Sequence, residues 1–268
     1  VEGTPTGEIT LAFAPDALKE IKKNLLNQSV EIVNRRINEL GTKEPNIQRQ
    51  GEDRIIVQLP GVQDPSHVKD LLGQTAKLTF RMVNSKVPYV DNPRAPIPPG
   101  TEILEDKEGK GMYFVVEKQV LLTGENLVDA QPSFDEYNAP QVSFRLDTKG
   151  GRKFAEITSK HIGELFAIVL DKKVISAPRI NGVIPGGSGV ITGSFTIKEV
   201  NDLSLLMRAG ALPAPLTVIE ERTVGPDLGA DSVEAGKVAT VAAVALVAVF
   251  MVILYLFFGM VANIALVF

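Results

Sequence analysis

The chain has 268 residues, enough for more than one hydrophobic core, with 28 Lys+Arg against 32 Asp+Glu, a net charge of −4 and no cysteine. That balance, without a compensating basic cluster, argues against a general nucleic-acid surface, and the missing cysteines remove disulfides and thiolate chemistry. All of the charge lies between Glu2 and Lys237, so Val238 to Phe268 is written for a different solvent.

Val1 is not an initiator methionine, and VEGTPTGEITLAF has neither the basic flank nor the apolar region of a signal peptide, so an upstream segment is expected. Glu8 to Ala14 alternates and stops at Pro15, which predicts a strand. Asp16 is the expected N-cap of a long helix whose apolar residues Leu18, Ile21, Leu25, Leu26, Val30, Val33, Ile37 and Leu40 recur at helical spacing until Gly41. Pro45 to Gln50 and Arg54 to Leu59 read as a hairpin about GED, followed by a short helix from about Pro65 to Leu72 and a strand from Ala76 to Val83. Strand, helix, hairpin, helix, strand is the split βαβ, ferredoxin-like order.

Pro88, Pro93, Pro96, Pro98 and Pro99 then crowd a segment that reads as an extended connector, because proline cannot donate to a sheet ladder. A second unit follows. MYFVVEKQVLL is strand-like, and QPSFDEYNAPQVSFRLD gives two strands about a turn at Asn138 to Pro140. A helix is expected over Gly150 to Ile162, a hairpin about Lys172 and Lys173, and a glycine-rich excursion over Val183 to Phe195. Thr196 and Glu199 stand at capping-box spacing before a helix stopped by Gly210. Leu216 to Glu221 alternates, and is expected to return as a strand to the first unit's sheet, making the second unit an insertion on two connectors that permit hinge motion.

Val238 to Phe258 carries only Thr240 and Tyr255 as polar side chains, and a helix of that length spans a bilayer's hydrocarbon core of ~30 Å. Gly259 interrupts the run, and MVANIALVF reads as the start of a further span.

Catalytic signals are weak. His67 and His161 stand far apart without cysteine partners, so no metal site is expected. GGSGV, Gly186 to Val190, departs from a nucleophile elbow at its last position, and no phosphate-binding loop occurs. The reading is of a protein that is not an enzyme and needs no cofactor.

The words RINELG, EPNIQRQGEDRIIVQLPGV, AIVLDKKVISAP, RAGALPAPL and ERTVGPDLGADSVEAG, in that order, closely resemble the SecD/SecF family of bacterial protein-export membrane subunits. The likeness covers nearly the whole chain and is weakest over Leu71 to Lys118. It implies an α+β fold with a ferredoxin-like base (residues 1–85) and an inserted head (86–211). It further implies a return strand and linker (212–230), a transmembrane helix (231–258) and the start of a second (259–268). It also implies residence in the bacterial inner membrane, with residues 1 to about 230 in the periplasm. Its implied partners are SecF, the SecYEG channel, YajC and unfolded preprotein, besides the lipid bilayer and without nucleic acid. The implied action is to bind emerging preprotein and promote late translocation by head–base movement coupled to the proton gradient. The rival reading is the periplasmic part of a resistance-nodulation-division exporter, which shares ferredoxin-like modules between spans.

Within that frame Pro213 and Pro215 are hinge candidates, the plainer alternative being a rigid turn. Phe134, Tyr137, Gly186, Gly187 and Gly189 are substrate-contact candidates, because an apolar or flexible rim suits a varied client; the alternative is that Phe134 is core and the glycines a turn. Asp231 or Ser232 is the expected cap of the membrane helix, near Arg222 and Asp227.

Overall fold

A computed structural model describes the backbone of residues 2–3, 9–10, 14–42, 44–62, 64–107, 109, 111–222 and 227–267, and side chains for 14, 16–42, 44–62, 64–107, 109, 111–222 and 233–254. Glu2–Gly3 (β1) and Ile9–Thr10 (β2) pair antiparallel; the rest of the strand expected over Glu8 to Ala14 lies mainly outside the described residues. Pro15–Glu39 (α1) starts two residues earlier than an N-cap at Asp16 would dictate. Ala14 is its N-cap, because Pro15 sits at the first helical position, where its fixed φ suits the helix and its missing N–H costs nothing. Gly41, at φ +70°, ends it as expected.

Asn46–Gln50 (β3) and Arg54–Gln58 (β4) form the expected hairpin, and Pro65–Gly73 (α2) is capped by Asp64, whose Oδ1 accepts from the His67 N–H at 3.0 Å. Leu78–Met82 (β5) departs from the split βαβ order: its ladder partners lie in the second unit instead of in the β3–β4 hairpin. The proline-rich connector also contributes strands, Tyr89–Val90 (β6) between Pro88 and Pro93 and Thr101–Asp106 (β7) after Pro99, neither of which includes a proline. Tyr113–Glu117 (β8), Leu122–Thr123 (β9), Leu127–Phe134 (β10), Pro140–Leu146 (β11), Thr148–Lys160 (α3), Phe166–Leu170 (β12), Lys173–Ser176 (β13), Ser188–Ile191 (β14) and Ile197–Ala209 (α4) follow.

Seven strands join in the order β6-β8-β7-β13-β12-β5-β9, and three in the order β10-β11-β14. A bridge between Val83 and Val116 brings β5 against β8, so the larger sheet curls on itself. Both faces of β12 are therefore buried. Phe166, Ile168 and Leu170 join the main core, while Ala167 and Val169 line a second core with Val83, Leu104, Val116 and Val174. This is why FAIVL is apolar without alternation. Phe80, Phe144, Phe154 and Phe166 contact one another with ring centroids 5.7 to 6.2 Å apart. The β12–β13 turn places Asp171 and Lys172 at φ +48° and +66°, the positive angles that a two-residue hairpin loop needs. The Thr196–Glu199 capping box forms as its spacing predicts, and Gly210 stops α4 at φ +89°.

The boundary at residues 85 and 86 is not a break in packing. Leu71, Ala76, Leu78, Phe80 and Met82 belong to the same core as Phe154, Leu203 and Leu206. A smaller core of Val33, Ile37 and Leu212, with Ile47, Val57, Leu72 and Leu216 against it, holds α1 to the β3–β4 hairpin. Leu216 to Glu221 forms no strand: Val218 and Ile219 are exposed, since alternation specifies a two-faced segment but not a sheet edge to receive it.

Residues Ile219–Phe268 make a separate unit containing Asp227–Val267 (α5), one continuous helix. It passes through Gly259 without a turn, because an interior glycine weakens a helix by ~1 kcal/mol and does not reverse it. Val233–Leu254 has mean hydropathy 2.6 and is unburied, long and apolar enough to cross a bilayer. The backbone at Asp231 and Ser232 lies inside α5, beyond its first turn, instead of at its cap; their side chains lie outside the described residues.

Candidate functional site

α2 bridges the α1–hairpin core and the main core, giving Leu72 to the first and Leu71 to the second, and the chain leaves α2 for β5 at residues 74–77 and leaves α4 for Leu212 of the first core at 210–212. One side chain grips both crossings. Arg36 is fully buried, and donates to the carbonyls of Leu71 (2.6 Å), Leu72 (3.4 Å), Gln74 (2.5 Å) and Thr75 (3.3 Å) on the first and Gly210 (3.2 Å) on the second. The Leu212 N–H donates to the Thr75 carbonyl at 2.8 Å, tying the crossings together. The carbonyls of Leu71 and Leu72 belong to the last turn of α2, where a helix lacks internal donors, so the guanidinium acts as a C-terminal cap from another element. Burial pushes Arg36 down to about 10, and attraction to Asp171 opposes that shift.

Asp171, in the β12–β13 turn, holds the first crossing from the other side. Its carboxylate accepts from the Ala76 and Lys77 N–H groups, both at 2.8 Å, and from the Thr75 hydroxyl. Ala76 has φ +55°, an angle that disfavours a Cβ, and these bonds stabilise it there. A second brace joins α1 to α4: Arg208 donates from Nε (3.0 Å) and Nη2 (2.7 Å) to Glu39 and from Nη1 to the Ala130 carbonyl. Beside it a cleft of about 290 Å³ is lined by Glu39, Leu40, Pro132, Asn201, Asp202, Leu205 and Arg208.

Sequence reasoning missed Arg36, although a signal existed: one turn beyond Val33 and beside Ile37, it places a charge on the helix stripe that otherwise reads as core. Neighbouring Arg35 points outward to Glu31 at 2.5 Å.

Pro213 and Pro215 are exposed, and lie between Leu212 and Leu216, both packed on the α1 core. They therefore sit on the α1 side of the second crossing instead of across it. The substrate-contact candidates are not one surface. Phe134 is half exposed at the tip of the β10–β11 hairpin, with Tyr137 almost wholly exposed beside it. The turn is held by Asp135 Oδ1, which accepts from the Tyr137 (2.9 Å) and Ala139 (2.7 Å) N–H groups. Gly186, Gly187 and Gly189 lie at the other end of β11, where Gly189 pairs with Phe144 and the Leu146 N–H donates to Gly187 O at 2.8 Å. Six residues of strand put about 20 Å between the two ends. Gly187 and Gly189 are packing positions: a Cβ would come within 2.8 Å of Gly151 Cα and 2.6 Å of the Phe144 ring respectively, whereas Gly186 faces open space.

Two family models match in order. Residues 26–85 match "Protein translocase subunit SecDF, P1 domain, N-terminal", and residues 101–214 match "SecDF, P1 head subdomain". Relatives described as protein translocase subunit SecD include one from Rhodobacter capsulatus, 51% identical over 241 residues, covering 90% of this chain and 43% of the relative. Another, from Rickettsia prowazekii, is 44% identical over 267 residues, covering 99% of this chain and 52% of the relative. The chain thus spans about half the length of the curated relatives it matches. Among solved structures, a membrane component SecDF that enhances protein export is 35% identical with a TM-score of 0.61, over 75% of this chain and 94% of the other. SecDF in a super-membrane-facing form is 35% identical with a TM-score of 0.63, over 85% of this chain and 32% of the other.

Proposed function

The chain belongs to the SecD family of protein translocase subunits, membrane components of the Sec machinery, and from that premise we propose that its α+β unit handles unfolded preprotein. The unit lies in the periplasm, binds a preprotein emerging from SecYEG, and works beside SecF and YajC in a multi-pass protein of the inner membrane. Movement of the head against the base, coupled to the proton gradient in the full protein, promotes late translocation. A proton crossing the membrane releases about 2.3 kcal/mol per 100 mV, enough to bias two arrangements that differ by a few kcal/mol.

The observation that carries this reading is the ordered pair of family matches followed directly by an unburied apolar helix. Supporting it, two of the segments that lead between the cores, residues 74–77 and 210–212, are gripped by the one side chain of Arg36, so their relative placement depends on a single group. The exposed aromatics of the β10–β11 tip suit loose contact with varied sequences. The test is photo-crosslinking in the full-length protein in its membrane, with the probe at Phe134, Tyr137 or Gly186 and a stalled export substrate in the channel. Adducts are expected from the hairpin tip. Silence from all three positions, with the channel itself still crosslinking, removes substrate contact from the head.

A further inference from the structure

His67 on α2 meets Asp202 on α4, Nε2 to Oδ1 at 3.2 Å, in a pair about one quarter exposed on each side. The position is mechanically distinctive. Asp202 stands eight residues before Gly210, so at ~1.5 Å per residue the pair acts on α4 about 12 Å from the crossing held by Arg36. It also borders the cleft whose other wall carries the Glu39–Arg208 brace. The pair, the brace and the cleft thus lie along one seam, where α4 rests on the two N-terminal helices.

We propose that His67 and Asp202 form a protonation-gated catch that keeps α4 seated on α2 while the imidazole is charged and releases it when the proton leaves. This deepens the proposed function, and rests on its reading that the lobes move. Histidine is the side chain whose charge changes across pH 5 to 8. The surroundings leave the site sensitive to that change. Asp64, at the start of α2, and Asp202 offer negative charge to the imidazole; Lys198, one turn from Asp202 on α4, opposes it; Glu199 is occupied by Lys107 at 2.7 Å, and Glu39 by Arg208. Asp70 and Lys69 are the remaining charges on α2. Burial raises the Asp202 carboxyl despite His67 and Lys198, so its charge is under-compensated even with the catch closed. Loss of the imidazolium leaves that carboxylate with a neutral hydrogen bond.

This chain has no cysteine, so two spin labels are placed at Lys22→Cys on α1 and Lys153→Cys on α3 in the full protein in lipid nanodiscs, any cysteine outside residues 1–268 first being replaced by serine. Pulsed dipolar distances are then read at pH 5.5 and pH 8. The expected result is a rise of about fivefold in the separated-to-seated ratio at the higher pH, the factor for ~1 kcal/mol in a part-exposed ion pair. His67→Gln and Asp202→Asn should make the ratio independent of pH. Glu39→Gln should raise it at both pH values and keep the slope. A pH slope that persists in His67→Gln, or a wild-type ratio that does not respond while Glu39→Gln populates the separated state, overturns the catch alone. One unchanging distance in every variant overturns the lobe movement and the catch together.

Discussion

Replacing Arg36 with methionine keeps an unbranched apolar stem on α1 and deletes its donors. Five carbonyl oxygens lose a partner, at the bonding distances of 2.5 to 3.4 Å found around the guanidinium. At about 1 to 1.4 kcal/mol each the gross loss is roughly 5 to 7 kcal/mol. The same substitution relieves the cost of burying a charge. The burial that pushes Arg36 down to about 10 marks a desolvation cost of roughly 3 kcal/mol, which the neutral methionine does not carry. The net destabilisation is therefore about 2 to 4 kcal/mol, which for a unit of this size lowers Tm by roughly 4 to 16 °C. Thermal unfolding followed by circular dichroism in detergent reads it, with Arg35→Met as the control, since exposed Arg35 only pairs with Glu31 on the same helix. Arg36→Lys should fall between, because a single ammonium cannot reach both crossings at once. A Tm for Arg36→Met within 2 °C of wild type would refute the claim that this side chain holds the crossings together.

Gly189→Ala should destabilise by about 1 to 3 kcal/mol, because the added methyl meets the buried Phe144 ring. Gly186→Ala, which meets nothing within 4 Å, should stay within about 0.5 kcal/mol, and equal melting temperatures for the two would contradict the packing reading. Glu199 is held below the ordinary glutamate range, first by Lys107 and then by the Thr196 N–H. A depressed carboxylate contributes stability that is present above its unfolded value and lost as pH falls through its folded one. Melting between pH 6 and pH 3 should accordingly show a shallower acid limb for Glu199→Gln than for wild type; parallel limbs count against it.

Much of the architecture was legible because its signals are local. The capping box at Thr196, the hairpin about GED, the stops at Gly41 and Gly210 and the apolar run after Lys237 each appeared where their residues predict. The misreadings have a shared cause. Ala76 to Val83 was recognisable as a strand, but its partner Phe166–Leu170 lies more than eighty residues away, and nothing in its own alternation names that partner. Leu216 to Glu221 alternates equally well and finds no ladder. The glycines of the Gly186 loop look like flexibility on paper, yet two of them are required by close approach to Gly151 and Phe144.

Sequence alone determined which segment is apolar enough for lipid and where α1 and α4 stop, because periodicity and caps are properties of neighbouring residues; it did not determine that Leu18 and Ile21 of the α1 stripe stay exposed or that α5 runs on through Gly259. The tertiary structure decided what each buried face meets. Arg36 illustrates the difference: its acceptors stand 35 to 174 residues along the chain, and a charge on an apolar stripe acquires a function only when folding brings carbonyls without donors to it.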